Sequence, residues 1–475
     1  MKTRIIAILA MLVLALSVFV GCGSGNGNGG NGEGGEGNGN GEVTVNTHAE
    51  YLAGAKGDKM VVDTYVQNKQ GWWEKDGVGV ASFYTQDKDG GAYFIYDMPC
   101  TADDYAKLVA GTKIRVTGFI TEYAGLRELG DATYEIIEGD TYVAEATALN
   151  DKLTAADLNK YQGLYASFAN AVVVGKGDDN APFFYGWDGT GSQGGDVYFD
   201  VMIGTSKYTF VIESYLTGKD TDVYKAAEAL KVGDVLNLTG FVYWYNGIQP
   251  HVTAIEKVTL NTHAEYLAAA KGDKVVVETY VQNKQGWWEK DGVGVASFYT
   301  QNKDGGAYFI YEMPCTEADY AKLAAGAKIV VEAYITEYAG LRELGDATYT
   351  LVEGDTYVAE ATALNDKLTA ADLNKYQGLY ASFANAVVVG KGDDNAPFFY
   401  GWDGTGSQGG DIYFDVMIGD AKYTFVIESY LTGKDTDVYK AAEALKVGDE
   451  INITGFVYWY NGIQPHVVAI EKVAK

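Results

Sequence analysis

The sequence predicts a mainly-β chain of four small five-stranded barrels, each with a short helix between its third and fourth strands, set out as two tandem duplicated pairs. Three observations carry this. The second half nearly copies the first: a constant offset of 215 residues takes Trp72-Trp73 onto Trp287-Trp288, Trp187 onto Trp402 and His251 onto His466, and a repeat of that length is a duplication of whole domains. A weaker repeat lies inside each copy. In the first copy it aligns Gly111, Ile114, Val116 and Thr117-Gly118-Phe119-Ile120 with Gly233, Leu236, Leu238 and Thr239-Gly240-Phe241-Val242. Finally, apolar residues alternate with polar ones over short stretches, as at Ile114 and Val116 between Lys113 and Arg115, the signature of a half-buried strand.

The elements of the first domain follow in order. Strands are expected over 60–67, 81–86 and 92–96, the last two joined by the hairpin connection Asp87-Lys88-Asp89-Gly90-Gly91. A helical stretch covers 102–109, and two further strands follow, the second including 133–137. Gly118 falls inside the fourth strand, where a missing side chain permits a bulge or sharp bend, and Tyr123-Ala124-Gly125 reads as the turn after it. The second domain repeats this order with strands at 164–174, 197–204 and 208–213, a helix at 222–230, and strands at 235–243 and 251–257.

The chain start has its own character. Met1-Lys2-Thr3-Arg4 is basic, 5–20 is almost wholly apolar, and Phe19-Val20-Gly21-Cys22 closes the run. This is the pattern of an export signal. Residues 23–42 contain only Gly, Ser, Asn and Glu, a composition with nothing to bury, whose reach as a coil is on the order of 25 Å. The expected organisation is a signal at 1–22, a tether at 23–45, and barrels at 46–140, 141–258, 259–355 and 356–475. The formal net charge is −28, which keeps such a body soluble and argues against non-specific capture of polyanions. Cys100 and Cys315 occupy equivalent positions in the two copies; with one cysteine per copy they are expected to be buried free thiols.

Two resemblances extend this reading. The run ending at Cys22 resembles the lipobox of bacterial lipoproteins, with Phe19 where that family usually has Leu; it implies lipidation of Cys22 and attachment to the outer face of a bacterial membrane. The segment G-x-x-[IL]-x-[VL]-T-G-F before a Y-x-G turn, with five strands and a helix after the third, resembles the OB-fold domains of bacterial, Firmicute-like surface lipoproteins. A different small β-barrel is the alternative. The third domain departs from the motif, with Glu332-Ala333-Tyr334 in place of Thr-Gly-Phe, so its fourth strand is expected to bend less.

The OB resemblance implies a ligand site across strands two and three, between the loop joining strands one and two and the loop joining four and five. In the first domain the former holds Trp72 and Trp73, and neighbours on an extended backbone face opposite sides, so at least one is expected to be exposed. The corresponding loop of the second domain carries Phe184, Tyr185 and Trp187, and its far loop Trp244, Tyr245 and Asn246. Tyr84, Tyr93, Tyr123 and Arg127 complete the candidate set, with Trp287, Trp288, Arg342, Trp402, Trp459 and Tyr460 as the second-copy counterparts. Flat aromatic faces suit sugar rings, bases or a protein partner, and the competing reading is that these rings lock loops and cap barrel ends.

Catalytic chemistry is not evident. The histidines form no zinc-like cluster, and Gly191-Ser192-Gln193-Gly194 lacks the glycine that a nucleophile elbow places two residues before its serine. Asp178-Asp179-Asn180 and Asp188-Gly189-Thr190-Gly191 read as turns, because the calcium-loop spacing is missing. The expectation is therefore no cofactor, no metal, no enzyme activity, and non-catalytic capture of an extracellular ligand. A polysaccharide or other cell-surface glycan is favoured; single-stranded nucleic acid, for uptake or scavenging, and a structural or adhesive spacer are the alternatives.

Overall fold

The computed structural model describes residues 44–153, 158–186, 193–368, 373–401 and 409–474. The signal, Cys22 and the tether up to residue 43 lie outside the described residues.

In the first domain, α1 (His48–Ala53) starts on a capping box in which the Thr47 hydroxyl accepts from the Glu50 backbone and the Glu50 carboxylate accepts from the Thr47 backbone. β1 (Lys59–Lys69), β2 (Trp73–Lys75), β3 (Val78–Gln86) and β4 (Ala92–Pro99) precede α2 (Ala102–Lys107), which is capped by Thr101. β5 (Thr112–Tyr123) and β6 (Leu126–Thr141) complete the domain. β1 pairs with both β3 and β5, β3 with β4, and β5 with β6, all antiparallel, and a parallel contact between Ile95 of β4 and Leu129 of β6 closes the ring. Setting aside the short β2, this is the five-stranded closed Greek-key barrel of the OB-fold.

The second domain has the same plan. β7 (Thr147–Ala148) leads into β8 (Tyr165–Val174), followed by β9 (Phe184–Gly186), β10 (Asp196–Ile203), β11 (Ser206–Ile212), α3 (Asp222–Glu228), β12 (Val235–Phe241) and β13 (His251–Lys257). Val211 of β11 meets His251 of β13 in parallel, in the role of Ile95 and Leu129. The second copy repeats both sheets, so the chain has four OB barrels.

Each barrel is filled by inward residues of all five strands. Val62, Val66, Phe83, Ile95, Ile114 and Val116 fill the first, closed below by Leu108 after α2. Phe168, Phe199, Phe210 and Leu238 fill the second, where Tyr224 and Ala227 of α3 enter the core. Burying such side chains contributes about 1.5–3 kcal/mol each. Cys100 and Cys315 are buried free thiols.

Three details differ from the sequence reading. The loops carrying Trp73 and Phe184 are not wholly irregular, because β2 and β9 add short edge strands to β3 and β10. β6 is longer than anticipated and pairs with β5 along most of its length. The fourth strand of the third barrel bends as the first barrel's does, since the register slips between Glu332 and Tyr334 just as it does between Thr117 and Phe119. The reason is room: a methyl group at Gly118 would lie 3.2 Å from the Gly130 carbonyl oxygen, tight but tolerable, and Ala333 occupies that place.

Residues 45–475 form one compact unit, and two kinds of joint hold the barrels. Between the first and second, the outer face of β3 and β4 is covered: Tyr84, Phe94 and Leu126 pack on Phe241, with Tyr165, Leu216, Tyr243 and Trp244 around them. The Tyr84 and Phe241 rings stack at 4.4 Å. The third and fourth barrels repeat this joint with Tyr299, Phe309, Leu341 and Phe456. Between the second and third, Val172, Val174, Met202 and Val235 pack on Val330. The Leu351 amide also donates to the Gly204 carbonyl at 2.7 Å.

Candidate ligand-binding rim

The face across β3 and β4 that an OB barrel offers to ligands is covered in the first barrel by the second. Tyr84 is fully buried, its hydroxyl bonded to His251. Tyr93 lies in the core, edge-on to Tyr51. Neither reaches solvent, so both leave the candidate set. Trp72 is half-buried, donates its Nε1 hydrogen to the Cys100 carbonyl at 3.0 Å and lies over Gly79. Arg127 is committed as well: its guanidinium donates to the carbonyls of Tyr51 and Gly54 at 2.7 and 2.8 Å, fastening α1 to the barrel. Trp287 and Arg342 repeat these roles. Tyr185 donates to Glu228 at 2.6 Å, and Trp244 and Trp459 sit in the inter-barrel joints. Trp187 and Trp402 lie outside the described residues.

What stays open is the rim beside the joint, where far-loop turns from both barrels meet. Tyr123, Trp73 and Tyr245 are 57%, 42% and 49% exposed. Tyr123 and Tyr245 face each other with ring centroids 6.0 Å apart. Their turns are pinned together, the Asn246 amide donating to the Ala124 carbonyl at 2.7 Å. Gln162 brackets the first turn, accepting from the Arg127 amide at 2.7 Å and donating to the Gly125 carbonyl at 2.9 Å. Gly125 has φ +87°, and a Cβ there would lie 3.0 Å from the Trp244 indole, so glycine serves both the turn and the close approach. Asn246 itself is exposed.

Carboxyl groups that the sequence reading treated lightly or missed line the same rim. Glu128 and Glu213 are both buried. Burial first, and the Asp97 charge second, push the Glu128 carboxyl up to about 7. Burial is also the main cause that raises Glu213 to about 7, although it accepts from Gln70 at 3.0 Å and from the Tyr215 amide at 2.9 Å. Tyr243 feels both, with burial the larger cause of its raised phenol. On the outer side Lys75 pairs with Asp97 at 2.9 Å and lies over the rings of Trp73 and Tyr96, 5.9 and 5.7 Å from their centres. The second copy rebuilds the rim from Tyr338, Tyr460, Glu343, Glu428 and exposed Trp288, with Tyr338 and Tyr460 at 6.1 Å and Glu312 for Asp97.

A second exposed platform belongs to each even-numbered barrel. Phe184 opens β9 as Trp73 opens β2, each pairing with the barrel's second strand. Its ring stacks on Tyr198 at 5.3 Å and 11°, with Lys176 5.0 Å from its centre.

Groups that would indicate other chemistry lie apart. A concavity of about 750 Å³ between α1, the Asp87–Gly91 hairpin and Tyr161 is lined by His48, Asp63, Asp87 and Lys160. Among the described residues no cluster of His, Cys, Asp and Glu is placed to hold a metal, and no helix is long and apolar enough to cross a membrane.

No protein-family model and no curated protein matches the chain. Similar solved structures include a replication protein A heterotrimer bound to single-stranded DNA, at 10% identity and TM-score 0.18, covering 65% of this chain and 94% of that one. A murine DNA-binding protein bound to double-stranded DNA matches at 12% identity and TM-score 0.16, covering 39% of this chain and 100% of that one. A deletion mutant of the single-stranded DNA-binding protein from Thermus aquaticus matches at 11% identity and TM-score 0.15, covering 44% and 97%. The OB assignment rests on the strand order described above.

Proposed function

We propose that this chain is a non-catalytic glycan-binding protein, held at the outer face of a bacterial membrane by a lipid on Cys22, with one binding rim per barrel pair. The observation that carries the reading is the exposed Tyr123–Tyr245 pair on turns pinned together at the Asn246 amide. A sugar presents C–H faces that stack on phenol rings and hydroxyls that exchange hydrogen bonds with phenol hydroxyls and the exposed Asn246 side-chain amide. Repetition of the rim on one chain adds avidity on a polymer, so each site needs only modest affinity.

Single-stranded nucleic acid is the second reading, in keeping with the single-stranded DNA bound by the similar replication protein A heterotrimer. Against it stands the lining: Asp97, Glu128 and Glu213 border the rim, and phosphate recognition needs cations to displace counterions.

The deciding experiment is affinity electrophoresis of the mature protein through a panel of neutral and acidic polysaccharides, beside a low-salt gel shift with single-stranded oligonucleotides. Retention by a polysaccharide, little affected by salt and weakened about tenfold by Tyr245→Ala, is the expected result. No retention of any glycan by folded protein, or an oligonucleotide shift that fades steeply with salt, overturns the reading.

A further inference from the structure

The two ends of the barrel array are the two halves of its own middle joint. In that joint the second barrel contributes Val172, Val174, Met202 and Val235, and the third contributes Val330. Asn170 donates to Glu332 at 2.8 Å and accepts from the Thr350 hydroxyl at 3.1 Å through its carbonyl oxygen, while Thr205 bonds Asp319 and accepts from Lys322 at 3.0 Å. Duplication places the first half of this joint again on the fourth barrel and the second half again on the first barrel.

Both repeated halves are open. Val172 is 1% exposed in the joint, whereas its counterpart Val387 is 38% exposed. Met417 and Val389 are likewise only half-buried, and on the first barrel Ile136, the counterpart of Leu351, is exposed. The backbone and most apolar positions of a working interface are thus present at both ends.

The copies differ where that interface would close. Glu450 stands in place of Val235 and Asp420 in place of Thr205; on the other end Arg115 replaces Val330 and Glu135 replaces Thr350. Arg115 is held by Asp63 through two bonds of 2.6 and 2.9 Å. If a second chain docked by the geometry of the middle joint, Glu135 would face the Asn385 carbonyl where Thr350 donates to Asn170, acceptor against acceptor. Asp420 would face Asp104, the counterpart of Asp319, and Lys107, the cation in reach, is already paired with Asp104 at 2.9 Å. Glu450 would have to strip water from itself and from the Arg115–Asp63 pair. Desolvating paired charges and opposing acceptors costs more than the retained valine contacts return.

We propose that these four residues stop copies of this chain from joining head to tail, the fourth barrel of one against the first barrel of the next, through a replica of the middle joint. The partner that the latent surface fits is a second copy of the same chain. Heterologous contacts of this kind close into a ring where the rotation allows it and otherwise extend as an open filament, so without the charges the product is a head-to-tail oligomer.

The test uses the mature chain carrying Arg115→Val, Glu135→Thr, Asp420→Thr and Glu450→Val together, with circular dichroism confirming an unchanged β spectrum. Sedimentation velocity is expected to show one monomeric species for the parent and a concentration-dependent ladder for the variant. Adding Val387→Glu is expected to remove the ladder. A folded quadruple variant that stays monomeric up to about 100 μM, or a ladder that survives Val387→Glu, overturns the proposal.

Discussion

The Tyr84 hydroxyl lies 2.7 Å from Nδ1 of His251, across the joint between the first and second barrels, and Tyr299 and His466 repeat the contact. Both partners are fully enclosed. Burial raises the Tyr84 phenol well above its usual range and lowers the His251 imidazole to about 3, so a protonated hydroxyl meets a neutral ring. Tyr84→Phe keeps the stacking on Phe241 and strands the ring nitrogen. The expected cost is about 1–3 kcal/mol, read as a lower denaturant midpoint with an unchanged slope. A midpoint equal to that of the parent would show that the bond contributes nothing.

Stability should pass through a broad maximum in mild acid. His251 and His466 are depressed by burial from 6.5 to about 3, so the unfolded chain binds protons that the folded chain refuses, and stability falls as pH drops through that interval. Glu128, Glu213, Glu343 and Glu428 are raised by burial from 4.5 to about 7; their contribution is complete below 4.5 and is lost as pH rises through about 7. Between 4.5 and 6.5 the four carboxyls outweigh the two imidazoles, so the melting temperature should be highest near pH 4.5 and fall towards neutrality. Calorimetry across the acid and neutral range checks this, and Glu128→Gln with Glu343→Gln should flatten the loss between pH 4.5 and about 7. A melting temperature that climbs steadily to pH 8 would contradict it.

Trp72 and Trp73 are adjacent but should behave oppositely on truncation. The Trp72 indole fills a niche floored by Gly79, where a Cβ would lie 2.3 Å from the ring. Trp72→Ala should cost about 2–3 kcal/mol, below the range for a wholly buried indole. Trp73→Ala should change stability by less than about 0.5 kcal/mol while weakening retention by the polysaccharide. Chemical denaturation of the two variants in parallel separates the roles.

Gly118 and Gly240 hold equivalent places in the first two barrels but differ in tolerance. A Cβ at Gly240 would stand 2.2 Å from the His251 carbonyl oxygen and 2.8 Å from the Val252 Cα, both backbone atoms. Gly240→Ala should therefore cost about 3 kcal/mol or more by displacing the β12–β13 ladder, and Gly118→Ala less than about 1 kcal/mol. Thermal unfolding of the two alanine variants provides the comparison.

The barrel order was legible because alternation, turn residues and the internal repeat all gave the same strand succession. The covered face was not read, although its signal was present. β3 is buried at every position from Val80 to Gln86, without a solvent-facing alternate, as in a strand packed on both sides. Tyr84 reads as a ligand contact only where the outer face of the barrel is free, and here the second barrel covers it. Trp73, Tyr123 and Tyr245 were recoverable because turn and edge positions leave large rings with little to pack against. Glu128, next to Arg127 in the far loop, reads from the sequence as no more than a group that could orient a polar ligand, and Glu213 carries no signal. Nothing local distinguishes a carboxylate at a strand end that a neighbouring barrel will cover from one that stays in water.

The amide of Leu351 bonded to the carbonyl of Gly204 ties one barrel pair to the next by main chain as well as by side chains. The two rims are consequently fixed at one separation instead of swinging on a leash. Such a molecule would act as a gauge: only a strand long enough, and bearing acceptable units at the right interval, could occupy both places at once.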